Sequence, residues 1–485
     1  MKSNYKFWSY TQLGTKLKHW SFESKMLLAH NASAQLVKPE SVNPEVLRYL
    51  PQPEEIETFI MLAIKNDEWQ DHTMKTTDFE QAISAIRSFK HPKWEEHKGK
   101  DFGNWFLMLT SANQFEYQSN KIFKANRYLT YFTHVDDHIN MCEVFRDKFG
   151  VDYRDIAGPM MLLWISYSSD EMRLSKEQWD WLVQNYKDTI ALLTLTREEY
   201  IKELDEITYD PSDYKYCLRP SYSWPFINHE GIVYLPTPHL LVRAVTESLM
   251  HRLTFGNNSL REKIGLHVLE PYLYSIVAGS DEFQAVLPEQ TYDDKKKTLD
   301  VLTNIDGNIV CFDSKSCVPL IGIRIFSMEA YEKTKLKIAK AVVQAYKHIH
   351  DRFGKDYMYL SVPVTEDRSN IFAIVVLAEN PFCPLGDIYG AAAEQLGIDK
   401  TTKEYDWLRG HVGVVGLDAL EVQLFLRKNF MEVITENIRT GRFDDHWMLQ
   451  GELSRADSDT NYIDDNVSGL IHQIAEKMNE QIGNK

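Results

Sequence analysis

Leu299-Asp300-Val301-Leu302-Thr303-Asn304-Ile305-Asp306-Gly307-Asn308-Ile309-Val310-Cys311-Phe312-Asp313-Ser314-Lys315 is the stretch on which the reading of this chain turns. Asp306-Gly307 at its centre is a strong local signal for a two-residue hairpin loop. Pairing then runs outward symmetrically: Ile305 faces Asn308, Thr303 faces Val310, and Asp300 faces Asp313. Lys315 falls on the same sheet face as Asp313, two residues on. Like charges facing each other across strands destabilise a sheet unless something cationic sits between them. A divalent metal ion with a lysine beside it is what this spacing predicts. Ile309–Phe312 is apolar on both faces, which predicts a central strand rather than an edge.

Two carboxylates suit a hard cation such as Mg²⁺ or Mn²⁺, which prefers oxygen ligands and keeps several waters. Asp300 and Asp313 are the candidate metal ligands, with the Ser314 carbonyl as a third donor. Lys315 is placed to orient a water or to stabilise charge developing on a phosphoryl group. A metal in such a site polarises a scissile phosphate and lowers the pKa of the attacking water.

Asp300, twelve intervening residues, then Asp313-Ser314-Lys315 between apolar strand residues resembles the PD-(D/E)xK nuclease superfamily, with its restriction-endonuclease-like fold. The resemblance covers roughly residues 245–400. It implies an α/β core with a mixed central sheet flanked by helices, metal-dependent phosphodiester hydrolysis, and an acidic residue on the preceding helix. That acid would be Glu270, in Gly265-Leu266-His267-Val268-Leu269-Glu270, with Glu262 and Glu289 as alternatives. In this chain Leu299 precedes the first acid, the acid of the D/ExK triplet is Asp, and Pro271 follows Glu270. A proline disfavours α geometry in the residue before it, which predicts a kink, or a helix start at Pro271 with Glu270 near its cap. The superfamily also carries a long helix after its third strand, expected here at Ala330–Phe353.

The chain has 485 residues, 44% of them hydrophobic and 12% aromatic, enough for two to four packed domains. Residues 1–240 read as a mainly helical, aromatic-rich recognition or regulatory region. Residues 241–400 read as the nuclease-like α/β domain, and 401–485 as a helical C-terminal portion with a Ser/Asp/Asn-rich break at 454–466. The prolines of 209–238 mark the first boundary, around a short strand at Gly231–Leu235. Strands are also expected at Ile321–Phe326, Tyr357–Val362 and Ile371–Ala378. Five cysteines with no CxxC pair predict a reducing cytoplasm. Met1-Lys2-Ser3-Asn4-Tyr5 leads into no apolar run, and no stretch is long enough to span a membrane. The net charge of −16 argues against an overall coat of nonspecific nucleic-acid binding.

Local basic features remain. Lys333, Lys337, Lys340, Gln344 and Lys347 recur at helical spacing and make one stripe, opposite a buried side expected from Leu336, Ala339, Val342, Val343, Tyr346 and Ile349. Residues 329–355 hold seven Lys/Arg against three Asp/Glu, which suits a polyanion. Lys295-Lys296-Lys297 precedes the first acid and reads either as a phosphate contact or as a solvated loop. His134-Val135-Asp136-Asp137-His138 places two histidines four apart, on one face if helical, with no third ligand apparent. No GxGxxG or GxxxxGK[ST] occurs, so an ATPase partner would be another chain.

Together these predict a cytoplasmic, metal-dependent endonuclease acting on DNA in preference to RNA, with a homodimer or a partner protein from the same system among its expected associations. The resemblance and the large flanking region imply microbial anti-phage defence or restriction. The alternatives are an RNA-cleaving enzyme of the same fold, a catalytically inactive nucleic-acid-binding scaffold, and a His134/His138 metallohydrolase.

Overall fold

The computed structural model describes residues 8–38, 46, 50–66, 72–89, 121–208, 214–215, 217, 219–292, 296–316, 327–352, 360–379, 383–440 and 467–483. Its strands are β1 (Thr194–Thr196), β2 (Phe226–His229), β3 (Ile232–Tyr234), β4 (Ala285–Pro288), β5 (Thr291–Tyr292), β6 (Lys296–Lys297), β7 (Val301–Ile305), β8 (Asn308–Lys315), β9 (Ile371–Leu377) and β10 (Val412–Gly416). The Asp306-Gly307 turn forms as its composition predicts. φ is 46° at Asp306 and 81° at Gly307, the pair of positive angles that matches the twist of two antiparallel strands. The register is also the expected one, with Ile305 opposite Asn308, Thr303 opposite Val310 and Val301 opposite Phe312.

These strands lie in a five-stranded mixed sheet of order β10-β9-β8-β7-β4. β4, β7 and β8 pair antiparallel; β8, β9 and β10 run parallel. β8 is central, and six of its eight residues are buried, as its apolar faces require. Ile309 and Cys311 point into a core shared with Ala330, Ile338, Val342 and Ala345 of the Met328–Lys347 helix and with the Leu385–Leu396 helix. Val310 and Phe312 point into the opposite core, with Leu273 and Ile276 of the Glu270–Ala278 helix. Helices on both faces of a mixed sheet make an α/β layered architecture.

The flanking region is helical through Tyr10–Leu17, Phe22–Val37, Pro53–Lys65 and Thr76–Ser88, which share a core with Tyr200 and Leu204 of the Arg197–Ile207 helix. β1, β2 and β3 form a separate small sheet. The Pro-rich stretch near 240 does not divide the cores. The layer beneath Val310 and Phe312 also takes Phe132, Phe145, Met160 and Leu163 from the N-terminal side, and Ile474 and Met478 from the C-terminal helix Gly469–Gly483. Nor does the sheet stop at 400, because β10 supplies its fifth strand. A five-residue valine- and glycine-rich segment between two helices is too short to distinguish from helix by pattern alone.

Other expectations differ in detail. The Pro271 helix neither starts late nor loses α geometry at Glu270, where φ is −61° and ψ is −50°. A π turn, Gly265–Leu269, joins the Asn258–Ile264 and Glu270–Ala278 helices, and the Glu270 N–H reaches back to the Gly265 carbonyl. The wider turn leaves Pro271 in the first turn of the following α-helix, where its missing donor costs little. Leu336 is 50% exposed; it lies about 200° around the helix from buried Ile338, on the solvent side. The long helix runs Met328–Lys347 and continues as a π turn, His348–Arg352. The strand expected at 321–326, and residues 357–359 of another, lie outside the described residues, as does 454–466. Residues 360–362 are not in a strand. Among the described residues no helix is long and apolar enough to cross a membrane.

Candidate active site

Asp300 sits at a bend immediately before β7. Continuing the β7–β8 register by one residue sets it opposite Asp313, as the hairpin symmetry predicts. Its carboxylate is held by the strand it faces: the Ser314 N–H and the Ser314 hydroxyl both donate to Asp300 Oδ2, each at 2.7 Å. Ser314 thus acts through its amide and hydroxyl on the neighbouring acid. Asp313 is 3% exposed, and Lys315 Nζ lies 2.7 Å from Asp313 Oδ2. Alternation along β8 makes this pair neighbours on one face, the face covered by the Met328–Lys347 helix.

The sheet adds an acid that the motif alone did not single out beyond an alternative. β4 pairs β7 with Pro288 opposite Val301, so the next residue, Glu289, comes opposite Asp300. Glu289, Asp300 and Asp313 therefore form a row across three adjacent strands. The signal was present, since symmetric pairing could be carried to a third strand. It was obscured because Ala285-Val286-Leu287-Pro288 is short and ends in proline, a residue that strands tolerate at their margins. Glu289 also receives Lys297 Nζ at 2.6 Å, across the small β5–β6 ribbon. This gives Lys297 a carboxylate partner; Lys296 is exposed beside it, and Lys295 lies outside the described residues.

Glu270 comes from the helix packed on the opposite face of the sheet. Burial pushes its carboxyl up to about 7, and the charges of Asp300 and Glu289 push the same way. Burial raises the Asp313 carboxyl to about 6, with Lys315 opposing and Asp300 adding to the rise. Burial also raises Asp300, against the two Ser314 hydrogen bonds and Lys315. Glu270 thus feels Asp300, Glu289 and Asp313, and Asp313 feels Asp300 and Glu289. Four carboxylates face two lysines, a surplus of negative charge that a divalent cation would relieve. All the side-chain donors are hard oxygens, which fits Mg²⁺ or Mn²⁺. Among the described residues, no three His, Cys, Asp or Glu side chains are yet drawn into an ion-ready cluster, so these acids would have to close around a cation. Glu262, the other alternative acid, is exposed on the Asn258–Ile264 helix.

The stripe on the long helix is where the spacing puts it: Lys333, Lys337, Lys340, Gln344 and Lys347 are all exposed. Lys333 pairs with Glu329 one turn earlier, at 2.6 Å. The histidine pair is not helical. The Lys121–Thr133 helix ends before His134, and a bridge between Val135 and Asn140 closes a short loop. Asp136 accepts backbone N–H bonds there from His138 and Ile139, a local turn that competes with helix.

No family model, curated protein or solved structure matches the chain.

Proposed function

We propose that the protein is a metal-dependent nuclease of the PD-(D/E)xK type that hydrolyses phosphodiester bonds in DNA, with Mg²⁺ or Mn²⁺ as cofactor. The observation that carries this reading is the row of Glu289, Asp300 and Asp313 across three adjacent strands, with Lys315 and Glu270 at its margin. The order of elements supports it too: a helix acid, a first strand, an acid before the second strand, an acid and lysine on the third, then a long helix. The bound cation would supply Lewis-acid activation of the phosphate and of water. Asp300 and Asp313 would hold it, with Ser314 keeping the Asp300 carboxylate in place. Lys315 would orient the attacking water or stabilise the charge that develops on the phosphoryl oxygens. Glu270, with a carboxyl that titrates near neutrality, is suited to accept a proton from that water or to take part in a second cation site. The exposed lysine stripe supports a polyanionic substrate. A role in restriction or abortive infection belongs to the same proposal.

The test is cleavage of plasmid and single-stranded DNA, with RNA as a parallel substrate, by wild type, Asp313→Asn and Lys315→Ala in Mg²⁺ or Mn²⁺. Each substitution is expected to lower the rate by about 100-fold or more. Equal rates in all three proteins would end the assignment.

A further inference from the structure

We infer that His134, Asp136, His138 and His267 form a second cation site, independent of the nuclease reading, for one divalent transition-metal ion of the zinc class. In the chain the first three residues lie far from the fourth. The fold brings the 134–140 loop against the π turn Gly265–Leu269, and His267 becomes the third imidazole that the His134/His138 spacing lacked. Asp136 is the pivot. Its Oδ1 accepts the His138 and Ile139 amides at 2.8 and 2.7 Å, which orients the carboxylate and leaves Oδ2 for the rings. His134 Nε2 lies 3.4 Å from Oδ2, and His267 Nδ1 lies 4.0 Å from the same oxygen. The His138 ring lies against the His267 ring, with centroids 4.4 Å apart and planes at 26°.

These separations discriminate between interactions. Direct N–H···O bonds to a carboxylate run about 2.7–2.9 Å, and His134 Nε2 is buried without a hydrogen-bond partner. Donors around a tetrahedral zinc ion, each about 2.0–2.2 Å from the metal, stand roughly 3.3–3.5 Å from one another. The His134–Asp136 edge already has that length. The His267 edge must shorten by about 0.6 Å, because no three donors are ion-ready as they stand among the described residues. His138 is exposed, and His267 is partly exposed, so both rings have room to turn. Three imidazoles and one carboxylate favour zinc-like ions over Mg²⁺, in contrast to the all-oxygen row at Asp300. The Asp136 amide bonds are the kind of outer-shell support that metal-binding carboxylates require. A bound ion would tie the end of the Lys121–Thr133 helix to the turn that leads directly into Glu270.

The experiment is a titration of chelator-stripped, full-length protein with Zn²⁺ alone, in an Asp300→Asn/Asp313→Asn background that removes the oxygen site as a competitor. Calorimetry gives affinity and stoichiometry, and zinc-edge X-ray absorption identifies the ligands. One ion per chain with imidazole nitrogens is expected, with binding at least about tenfold weaker in His134→Asn and in His267→Asn. Far-UV circular dichroism of the metal-free proteins checks folding. His138→Asn, at an exposed position, provides the measurement if either of the others misfolds. No saturable zinc binding, or equal binding in background and folded variants, overturns the inference.

Discussion

At the residue scale the consequential fact is that acids are placed side by side at the ends of adjacent strands. A carboxyl on an open surface titrates near its ordinary value. Glu270 is raised from 4.5 to about 7, first by burial and then by Asp300 and Glu289. The folded chain therefore retains a proton that the unfolded chain releases. The stability linked to that proton is present in full below the unfolded value of 4.5, and it is lost as pH rises through about 7. Asp313 contributes in the same direction, from 3.8 to about 6. In metal-free protein, Glu270→Gln is expected to flatten the fall in Tm between about pH 5 and pH 8 and to raise Tm at the upper end. Mg²⁺ should raise the wild-type Tm more at about pH 8 than at about pH 5, because the ion competes with protons for the same oxygens. A thermal-shift series over pH checks both, and a Tm profile for Glu270→Gln parallel to wild type would contradict the placement of Glu270 among the acids. Asp300, Asp313 and Lys315 were legible because hairpin pairing is a local, symmetric rule. The role of Ser314 was not, because a side chain's hydrogen bond to the opposite strand depends on how the bend before β7 turns.

At the element scale, the Met328–Lys347 helix shows how far periodicity carries. The lysine stripe is readable from spacing, and every member is exposed. Leu336, expected on the buried side, faces solvent, where its spacing sets it about 40° around the helix from exposed Lys340. For the proposed nuclease activity, charge reversal on this helix separates substrate binding from chemistry. Lys337→Glu with Lys340→Glu is expected to weaken DNA binding about equally across sequences, and to lower the slope of log K against log salt by about 0.9 for each phosphate no longer neutralised. Fluorescence anisotropy over a salt series measures this; an unchanged slope with unchanged affinity would remove the stripe from the substrate path. The same scale explains Pro271. Glu270 keeps α angles despite the proline that follows it, and the π turn Gly265–Leu269 leaves Pro271 in a first helical turn where its missing N–H costs little. A Cβ on Gly265 would meet Ser316 Oγ at 3.4 Å, so this turn rests at the end of β8, close to the acids.

At the scale of the whole molecule, the flanking regions are built into the sheet rather than appended to it. Arg127 is fully buried and reaches Asp418 Oδ1 at 2.5 Å and Glu421 Oε2 at 2.7 Å. Lys124, 3% exposed, lies between Glu247 at 3.0 Å and Glu379 at 3.2 Å. Tyr128 donates to Glu379, and Tyr272 donates to Glu421 at 2.5 Å. One helix from the N-terminal side thus supplies cations to the carboxyl ends of β9 and β10. Removing one partner of such a pair leaves a buried charge uncompensated, at a cost of about 3–5 kcal/mol. A fragment spanning 241–400 would lose this helix, β10 and much of one core. It is expected to lack cooperative unfolding in urea, whereas the full chain has it; a sharp transition in the fragment would show the central region to be self-sufficient.

What the linear chain determined here was short in range: the hairpin and its register, the facing of Asp300 and Asp313, the central character of β8, and the solvent stripe on the long helix. Each follows from a period of two or 3.6 and from the backbone angles open to Asp306 and Gly307. Tertiary structure decided what lies across strands and between distant segments. It aligned Glu289 with Asp300 through β4, joined His267 to the 134–140 loop, added β10 to the sheet, and buried Lys124 and Arg127 against four carboxylates. Those juxtapositions depend on which faces must be removed from water together, a property of the packed whole that no local spacing encodes.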